Sequence, residues 1–493
     1  MEFKRHSFVK NIFLAILSAL LLALTLPYPG WTIFVWVALV PLLLALRRTA
    51  SVSSAFVTIM VFGVIYWTAV VAPLFQLNTT WWTGDISASY GPALVSLLVF
   101  LVALYSAAFL LPVAYIERKY RTLRMRDVFI VALAWVAFEY IRSEYALLGY
   151  SWGVLGYTLV DVAYLRESAR IVGVHGLSFF VIAVNMLLAL TCERVSRKYT
   201  FLELKKVIRE FIFSQKEKYW TASLIFIFLA AIGYGVLRDV VASPPLHTPL
   251  RVALIIAESD DDSVGEGLYR SYRGKIIATL STYPETDILL LPENVFPFFE
   301  IDEEKRSLAE KQPVPLPTRE VLYQDLLSLS RTYGTTTFAI GSHSVSGGKK
   351  YNTLVFYKQG EIIGTLHKQR LVPFFEYAPL GLPIPLFESF SKGGPEEQIT
   401  LQGSTISTLI CSEVSDGSLL PGQVHVVLSP SNDDVLTSAA VGRVQDVFAR
   451  MRAIESGAYV IRASRGSVSS IIDPSGRILK TSRGDTILLE TLY

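Results

Sequence analysis

Three residues of different chemistry occupy like positions in the second half of the chain. Glu293 closes the run Asp287-Ile-Leu-Leu-Leu-Pro-Glu293, Lys368 follows Glu361-Ile-Ile-Gly-Thr-Leu-His367, and Cys411 closes Ser404-Thr-Ile-Ser-Thr-Leu-Ile-Cys411. Each run reads as a buried strand, so each reactive group is expected just past a strand's C-terminal end, where α/β folds gather their active sites. A thiol, with an unperturbed pKa of about 8.5, attacks as the thiolate. A neighbouring carboxylate can take its proton as general base, and a neighbouring ammonium can steady the thiolate and the later oxyanion. Singly, each residue has a plainer use: Glu293 can cap a helix, Lys368 can be a solvated loop charge, and Cys411 can be a small buried hydrophobe. Together they point to acyl transfer through a thioester on Cys411, with backbone N–H groups after Cys411 completing the oxyanion site.

The elements that must position these groups begin after a linker, Ser243-Pro-Pro-Leu-His-Thr-Pro249. Strands are predicted over 251–257, 287–291, 336–341, 352–357, 361–367, 405–411, 424–428, 458–463 and 467–472, and helices over 265–281, 317–333 and 442–456. Continuous apolar strands separated by helices predict one layered α/β domain over 248–493.

The first half is different. The chain of 493 residues is 52% hydrophobic and only 18% charged, with a mean hydropathy of +0.43, which predicts a membrane protein carrying a soluble part. A net charge of +3 implies no nucleic-acid partner. Residues 1–240 are read as a helical bundle with seven apolar stretches, near 11–27, 31–46, 53–75, 92–115, 127–142, 172–192 and 219–237. The first follows a basic N-terminus, but no small-residue cleavage site follows it, so an uncleaved anchor is expected. Lys and Arg fill alternate loops: Lys4, Arg5 and Lys10; Arg47 and Arg48; Arg118 to Arg126; Arg194 to Lys218. Positive residues stay cytoplasmic, so the N-terminus is expected inside and everything after about residue 240 outside. Cys192 and Cys411 then lie on opposite sides and form no pair. Glu139 and Arg142, one turn apart at the end of the fifth stretch, form a candidate structural pair or a lipid head-group contact.

Several segments resemble a known family. Leu-Pro-Glu293-Asn, Lys368-Gln-Arg-Leu-Val-Pro-Phe-Phe-Glu376-Tyr and Ile-Cys411-Ser-Glu413 resemble the catalytic segments of the nitrilase (carbon–nitrogen hydrolase) superfamily, in the form of its bacterial apolipoprotein N-acyltransferase branch. Phe138-Glu-Tyr-Ile-Arg142, Gly149-Tyr-Ser-Trp152, Ser431-Asn-Asp433 and Ala449-Arg-Met-Arg-Ala-Ile-Glu455 are similar too. The resemblance implies a four-layer αββα sandwich behind a transmembrane bundle of about seven helices. It implies Glu293 as general base, Lys368 as oxyanion stabiliser and Cys411 as nucleophile, with Glu376 and Glu413 in support. It further implies a phospholipid acyl donor, a diacylglyceryl-cysteine acceptor on an apolipoprotein, no metal or other cofactor, and a monomer in the bacterial cytoplasmic membrane with its catalytic domain outside. Ser412, Phe375, Arg370, Asp434 and Arg465 depart from the family pattern, and no closing transmembrane helix is read before Tyr493.

Aromatic residues flank the triad. Phe296 and Phe298 follow Glu293, and Phe374, Phe375 and Tyr377 follow Lys368; with Trp152 they are candidates for meeting acyl chains, the alternative being that they pack on the domain itself. Two other functions stay open at this point: a membrane-anchored amidase in which water resolves the thioester, and a non-catalytic scaffold or transporter, against which the intact triad and the scarcity of charge deep in the spans both argue.

Overall fold

A computed structural model describes residues 2–26, 30–73, 96–97, 99–105, 110–115, 124–145, 151–198, 217–240, 246, 248–257, 266–296, 299–309, 316–373, 376–378, 389–395, 397–433 and 439–493. The chain divides into two compact units, Met1–Val241 and Ala242–Tyr493.

The first unit is helical. Its helices are α1 (Glu2–Ala23), α2 (Val40–Arg48), α3 (Val52–Val71), α4 (Met125–Tyr140), α5 (Ala163–Arg166), α6 (Ala169–Lys198) and α7 (Lys218–Val240); residues 99–105 and 110–115 are helical as well. The segments Val52–Val71, Ala169–Arg194 and Lys218–Asp239 are long and apolar enough to cross a bilayer, and Phe8–Ala23 is a shorter apolar helix. Phe226, Leu229 and Leu237 of α7 stay more than 60% exposed, as apolar side chains facing lipid would.

The second expected stretch, 31–46, is not one helix. It divides into a 3-10 turn, Thr32–Trp36, and the nine-residue α2, which at 1.5 Å per residue spans only about 14 Å. The break frees backbone groups inside an apolar region, where they must find partners. Asn185 of α6 supplies them: its Nδ2 donates to Val35 O at 2.7 Å and its Oδ1 accepts from Leu39 N at 2.9 Å. Arg47, read from sequence as a loop charge, is buried in a 2.5 Å pair with Glu193. Glu139 is buried and accepts from Trp135 Nε1 and Leu155 N, both at 3.0 Å, while Arg142 Nη1 donates to Trp152 O at 2.7 Å. These two charges therefore pin the 151–159 segment to the end of α4.

The second unit holds two sheets. The first contains β1 (Leu250–Ile256), β2 (Ile288–Leu290), β3 (Glu300–Asp302), β4 (Ser307–Leu308), β5 (Thr337–Ser346), β6 (Lys349–Lys358), β7 (Glu361–His367) and β14 (Thr486–Leu492). The second contains β8 (Ile399–Leu401), β9 (Ser404–Thr408), β10 (Val426–Asn432), β11 (Tyr459–Arg465), β12 (Val468–Ile472) and β13 (Ile478–Arg483). The first is ordered β14-β1-β2-β5-β3-β4, with β6 and β7 continuing antiparallel from β5; the second is ordered β13-β12-β11-β10-β9-β8. In each, a parallel centre (β1-β2-β5-β3 and β9-β10-β11) carries antiparallel edges.

Strand alternation builds the layers. Val252, Leu254 and Ile256 face the second sheet, packing with Ile406, Val426, Leu428 and Ile461. Ala253 and Ile255 face the other way, against α8 (Glu266–Thr282) and α9 (Leu316–Thr332) through Tyr272, Ile276, Tyr323 and Leu326. Helix α10 (Ala439–Ser456) packs on β11 and β12. Helix, sheet, sheet, helix is thus the layer order, the four-layer sandwich that the sequence resemblance implies.

Candidate active site

Strand β2 delivers Glu293. Leu291 N still bonds Ala339 O at 2.9 Å, and Val295 N bonds Gly341 O at 3.2 Å, so residues 292–294 arch over β5 at Gly341. A Cβ at Gly341 would stand 2.3 Å from Pro292 O and 2.5 Å from Glu293 Cα; only glycine admits the arch. The Glu293 carboxylate is buried. Its Oε1 accepts from Asn352 Nδ2 at 2.8 Å and its Oε2 from Asn432 N at 3.0 Å.

Strand β7 delivers Lys368. Its N donates to Asn352 O and its O accepts from Gly393 N, both at 2.8 Å, fixing the main chain on both sides. Lys368 is 1% exposed, and its Nζ lies 2.9 Å from Glu376 Oε1 and 3.9 Å from Glu293 Oε1. Glu376 Oε1 also accepts from Asn352 Nδ2 at 3.2 Å, and its Oε2 accepts from Val372 N at 2.7 Å.

Strand β9 delivers Cys411. The sequence reading ran this strand to residue 411, but it stops at Thr408, and Cys411 opens a 3-10 turn, Cys411–Ser415. Cys411 has φ +55°, a left-handed conformation that a non-glycine residue holds only at a cost of about 1–3 kcal/mol. The turn sets it at the edge of the core between the sheets, packed against it and only partly exposed. Glu413, two residues on, ties this turn to the one after β7: its Oε2 accepts from Ile410 N at 2.8 Å, and its Oε1 from Gln369 N at 2.6 Å and Arg370 N at 2.8 Å. Arg370 also pairs with Asp416 across the same two turns.

Behind Glu293, the end of β10 is held by a buried polar cluster. Arg462 Nη2 meets Asp433 Oδ2 at 2.5 Å and Gln445 Oε1 at 2.6 Å, and Ser464 Oγ and Ser431 Oγ each donate to Asp433 at 2.8 Å. That cluster sets the direction of the Asn432 N–H toward Glu293.

The charges are graded. Burial pushes Glu293 above the usual carboxylate range; Lys368 opposes this, Glu376 adds to it, and hydrogen bonds from Asn352 and the Cys411 thiol oppose it. Burial and then Glu293 push the Cys411 thiol up, against Lys368, so the resting sulfur holds its proton. Burial disfavours the Lys368 ammonium, but Glu376, Glu293, Cys411 and Glu413 together outweigh it and keep Lys368 charged. Burial lifts Glu413 to about 7, resisted by Lys368 and by the three backbone donors. A buried carboxylate, a thiol and a fixed cation thus lie together, the types of group that nucleophilic attack on a carbonyl draws on.

Glu293, Lys368, Cys411, Glu376 and Glu413, all expected at the site, converge there. Phe296 does not fit the expected role of meeting acyl chains. It is fully buried beneath the first sheet, packed on Tyr269, Tyr272 and Phe299, because the arch after Glu293 turns back into the core. Phe298, Phe374, Phe375 and Asp434 lie outside the described residues. Tyr377 bridges to Pro373 beside Glu376, with Lys392 Nζ 6.0 Å from its ring centroid. Trp152 belongs to the first unit. Asn352 escaped the sequence reading; its only signal was a lone amide opening the apolar run Asn352-Thr-Leu-Val-Phe-Tyr357. Among the described residues no group of three or more His, Cys, Asp or Glu side chains is arranged to hold a metal ion.

Residues 18–187 match the apolipoprotein N-acyltransferase N-terminal domain family, and residues 255–489 match the carbon–nitrogen hydrolase family. Over its length the chain is similar to proteins named apolipoprotein N-acyltransferase. It is 27% identical to that of Geobacter metallireducens, covering 98% of this chain and 88% of the relative. It is 26% identical to that of Nitrosomonas europaea (90% and 83% covered) and 29% identical to that of Pseudomonas syringae (82% and 77% covered).

Proposed function

Because the chain belongs to the apolipoprotein N-acyltransferase family, with both of the family's domains in order along nearly its whole length, we infer that it is a membrane acyltransferase that N-acylates lipoproteins, with Glu293, Lys368 and Cys411 as its catalytic residues. The observation that carries the reading is the buried Glu293 carboxylate 3.9 Å from the buried Lys368 ammonium, with both groups acting electrostatically on the Cys411 thiol.

In the first half-reaction Glu293 takes the Cys411 proton and the thiolate attacks the carbonyl carbon of a phospholipid ester. Lys368, with N–H groups after Cys411, neutralises the oxyanion. The carbon–oxygen bond then breaks, Glu293 returns the proton to the departing lysophospholipid oxygen, and an acyl thioester remains. In the second half-reaction the free α-amino group of a diacylglyceryl-cysteine attacks that thioester. Glu293 accepts its proton, the amide forms, and the Cys411 sulfur leaves and is reprotonated. Glu376 holds Lys368, and Glu413 holds the two turns that bear Lys368 and Cys411.

The alternation of basic loops supports a cytoplasmic N-terminus and a catalytic unit outside the bacterial cytoplasmic membrane, facing both lipid-held substrates. Tyr377 and Trp152 remain candidate contacts for the acyl chains.

Incubation with phospholipid followed by mass spectrometry of the peptide bearing Cys411 tests the chemistry. The expected result is a fatty-acyl mass added to Cys411, released by a diacylglyceryl-cysteine peptide. Cys411→Ala should abolish transfer while the protein still folds and inserts; transfer retained in that variant would falsify the covalent route.

A further inference from the structure

One titratable side chain beside the triad is unused by this reaction. His367 is the last residue of β7 and the immediate neighbour of Lys368. Its ring lies between two carboxylates from separate segments: Nε2 is 2.6 Å from Glu303 Oε1, just past β3, and Nδ1 is 3.0 Å from Glu397 Oε2, just before β8. The third ring-facing group is Tyr351 of β6, with centroids 4.5 Å apart. A neutral imidazole has one N–H and would turn a lone pair toward one of the carboxylates, so this geometry requires the imidazolium, which donates from both nitrogens.

Glu397 makes this more than a surface pair. It also accepts from His367 N at 2.6 Å and from Gly394 N at 2.8 Å, and the preceding Gly393 N donates to Lys368 O at 2.8 Å. A Cβ on Gly393 would lie 2.6 Å from His367 Cβ and 2.8 Å from His367 O, so Gly393 lies directly on the main chain of 367–368. The ring, through Glu397, clamps the peptide from which the Lys368 side chain reaches its carboxylates.

We propose that His367 is a positioning residue for acyl transfer: held as a cation between Glu303 and Glu397, it fixes the main chain that carries Lys368. The inference rests on the role assigned to Lys368 above. Burial works against the ring's charge, but Glu303 and Glu397 outweigh it and lift His367 to about 9. The clamp is therefore intact through neutral pH and opens as pH rises past about 9, while Lys368, held higher, is still charged.

The test is the pH profile of Cys411 acylation by phospholipid in a single turnover, without acceptor, for the full chain and for His367→Gln and Glu397→Gln, with melting temperatures as the control for folding. In the unaltered protein the rate should fall above about pH 9. Glu397→Gln keeps a hydrogen-bonding side chain but removes one carboxylate, and should move that fall down by about one unit. His367→Gln should remove it and lower the plateau about tenfold, as misplacement of a catalytic group does. A basic limb unmoved in both folded variants overturns the proposal while leaving the reading of the site intact. No acylation of the unaltered protein at any pH would instead overturn the reading of the site, and the role of His367 with it.

Discussion

Replacing Asn352 by leucine, close to it in size, isolates the contribution of one amide to the site. Asn352 Nδ2 donates to Glu293 Oε1 at 2.8 Å and to Glu376 Oε1 at 3.2 Å, while its buried Oδ1 has no hydrogen-bond partner among the described residues. The substitution thus removes two donors to carboxylates and strands no group that bonded to the oxygen. A hydrogen bond to a charged group contributes about 1.5–3 kcal/mol, with the longer of these two at the low end, so about 3 kcal/mol of support for the paired carboxylates is lost. If that support is felt in the transition state, acylation slows about a hundredfold, at about 1.4 kcal/mol per factor of ten. The sign of the pH effect follows from the same contact. The Asn352 bond holds Glu293 down against burial, so its loss raises Glu293 further and moves the acidic limb of the rate to higher pH. The assay is single-turnover thioester formation on Cys411 from pH 5 to 9, read by intact-protein mass spectrometry. An acylation rate within about threefold of the unaltered protein, with its acidic limb in place, would refute the view that this amide governs the base.

Other substitutions probe the scaffold. Gly341→Ala drives a methyl group into Pro292 O and Glu293 Cα, so acylation should fall at least tenfold with a destabilisation of about 1–3 kcal/mol, checked by denaturant unfolding beside the acylation assay. Arg462→Leu leaves Asp433 buried without its cation, which should cost about 3–5 kcal/mol and lower the melting temperature by well over 5 °C, by estimate from the cost of breaking a buried pair. Glu413, lifted to about 7 by burial, contributes stability that is full below the ordinary carboxylate range and lost as pH rises through about 7. Glu413→Gln should remove that component from a melting-temperature profile between pH 4 and 8, and should slow acylation because its amide presents a donor toward the Ile410 or Gln369 N–H.

The residue types of the candidate site and their placement at strand ends were legible in the sequence because they are local. A short apolar, β-branched run reads as a buried strand from its own residues, and a reactive group at its end reads as an edge position; β2, β7 and β9 were found this way. The long central strands and the three helices of the second unit carry the same local signal. Strands β3 and β4, of three and two residues, do not: so short a run has no period to detect, and pairing alone makes them strands. Edge strands β13 and β14 were missed for a different reason: their apolar residues, Ile478-Leu479 and Ile487-Leu488-Leu489, sit among polar ones and stay half exposed, so neither segment reads as a buried strand. Phe296 shows the opposite failure. An aromatic residue beside a catalytic one looks the same whether it faces lipid or core, and only the arch over Gly341 decides.

What the sequence by itself determined is therefore the inventory: a carboxylate, an ammonium and a thiol, each at the end of its own strand, after a stretch of chain rich in apolar helices. What only the tertiary structure decided is the coupling between them. Asn432 reaches Glu293 across 139 residues, Glu413 joins turns 43 residues apart, and His367 draws in Glu303 from 64 residues away. No local pattern specifies those contacts: the first two exist only once the two sheets have packed face to face, the third only once β3 and β7 have joined one sheet, and packing excludes the water that would otherwise satisfy the same groups.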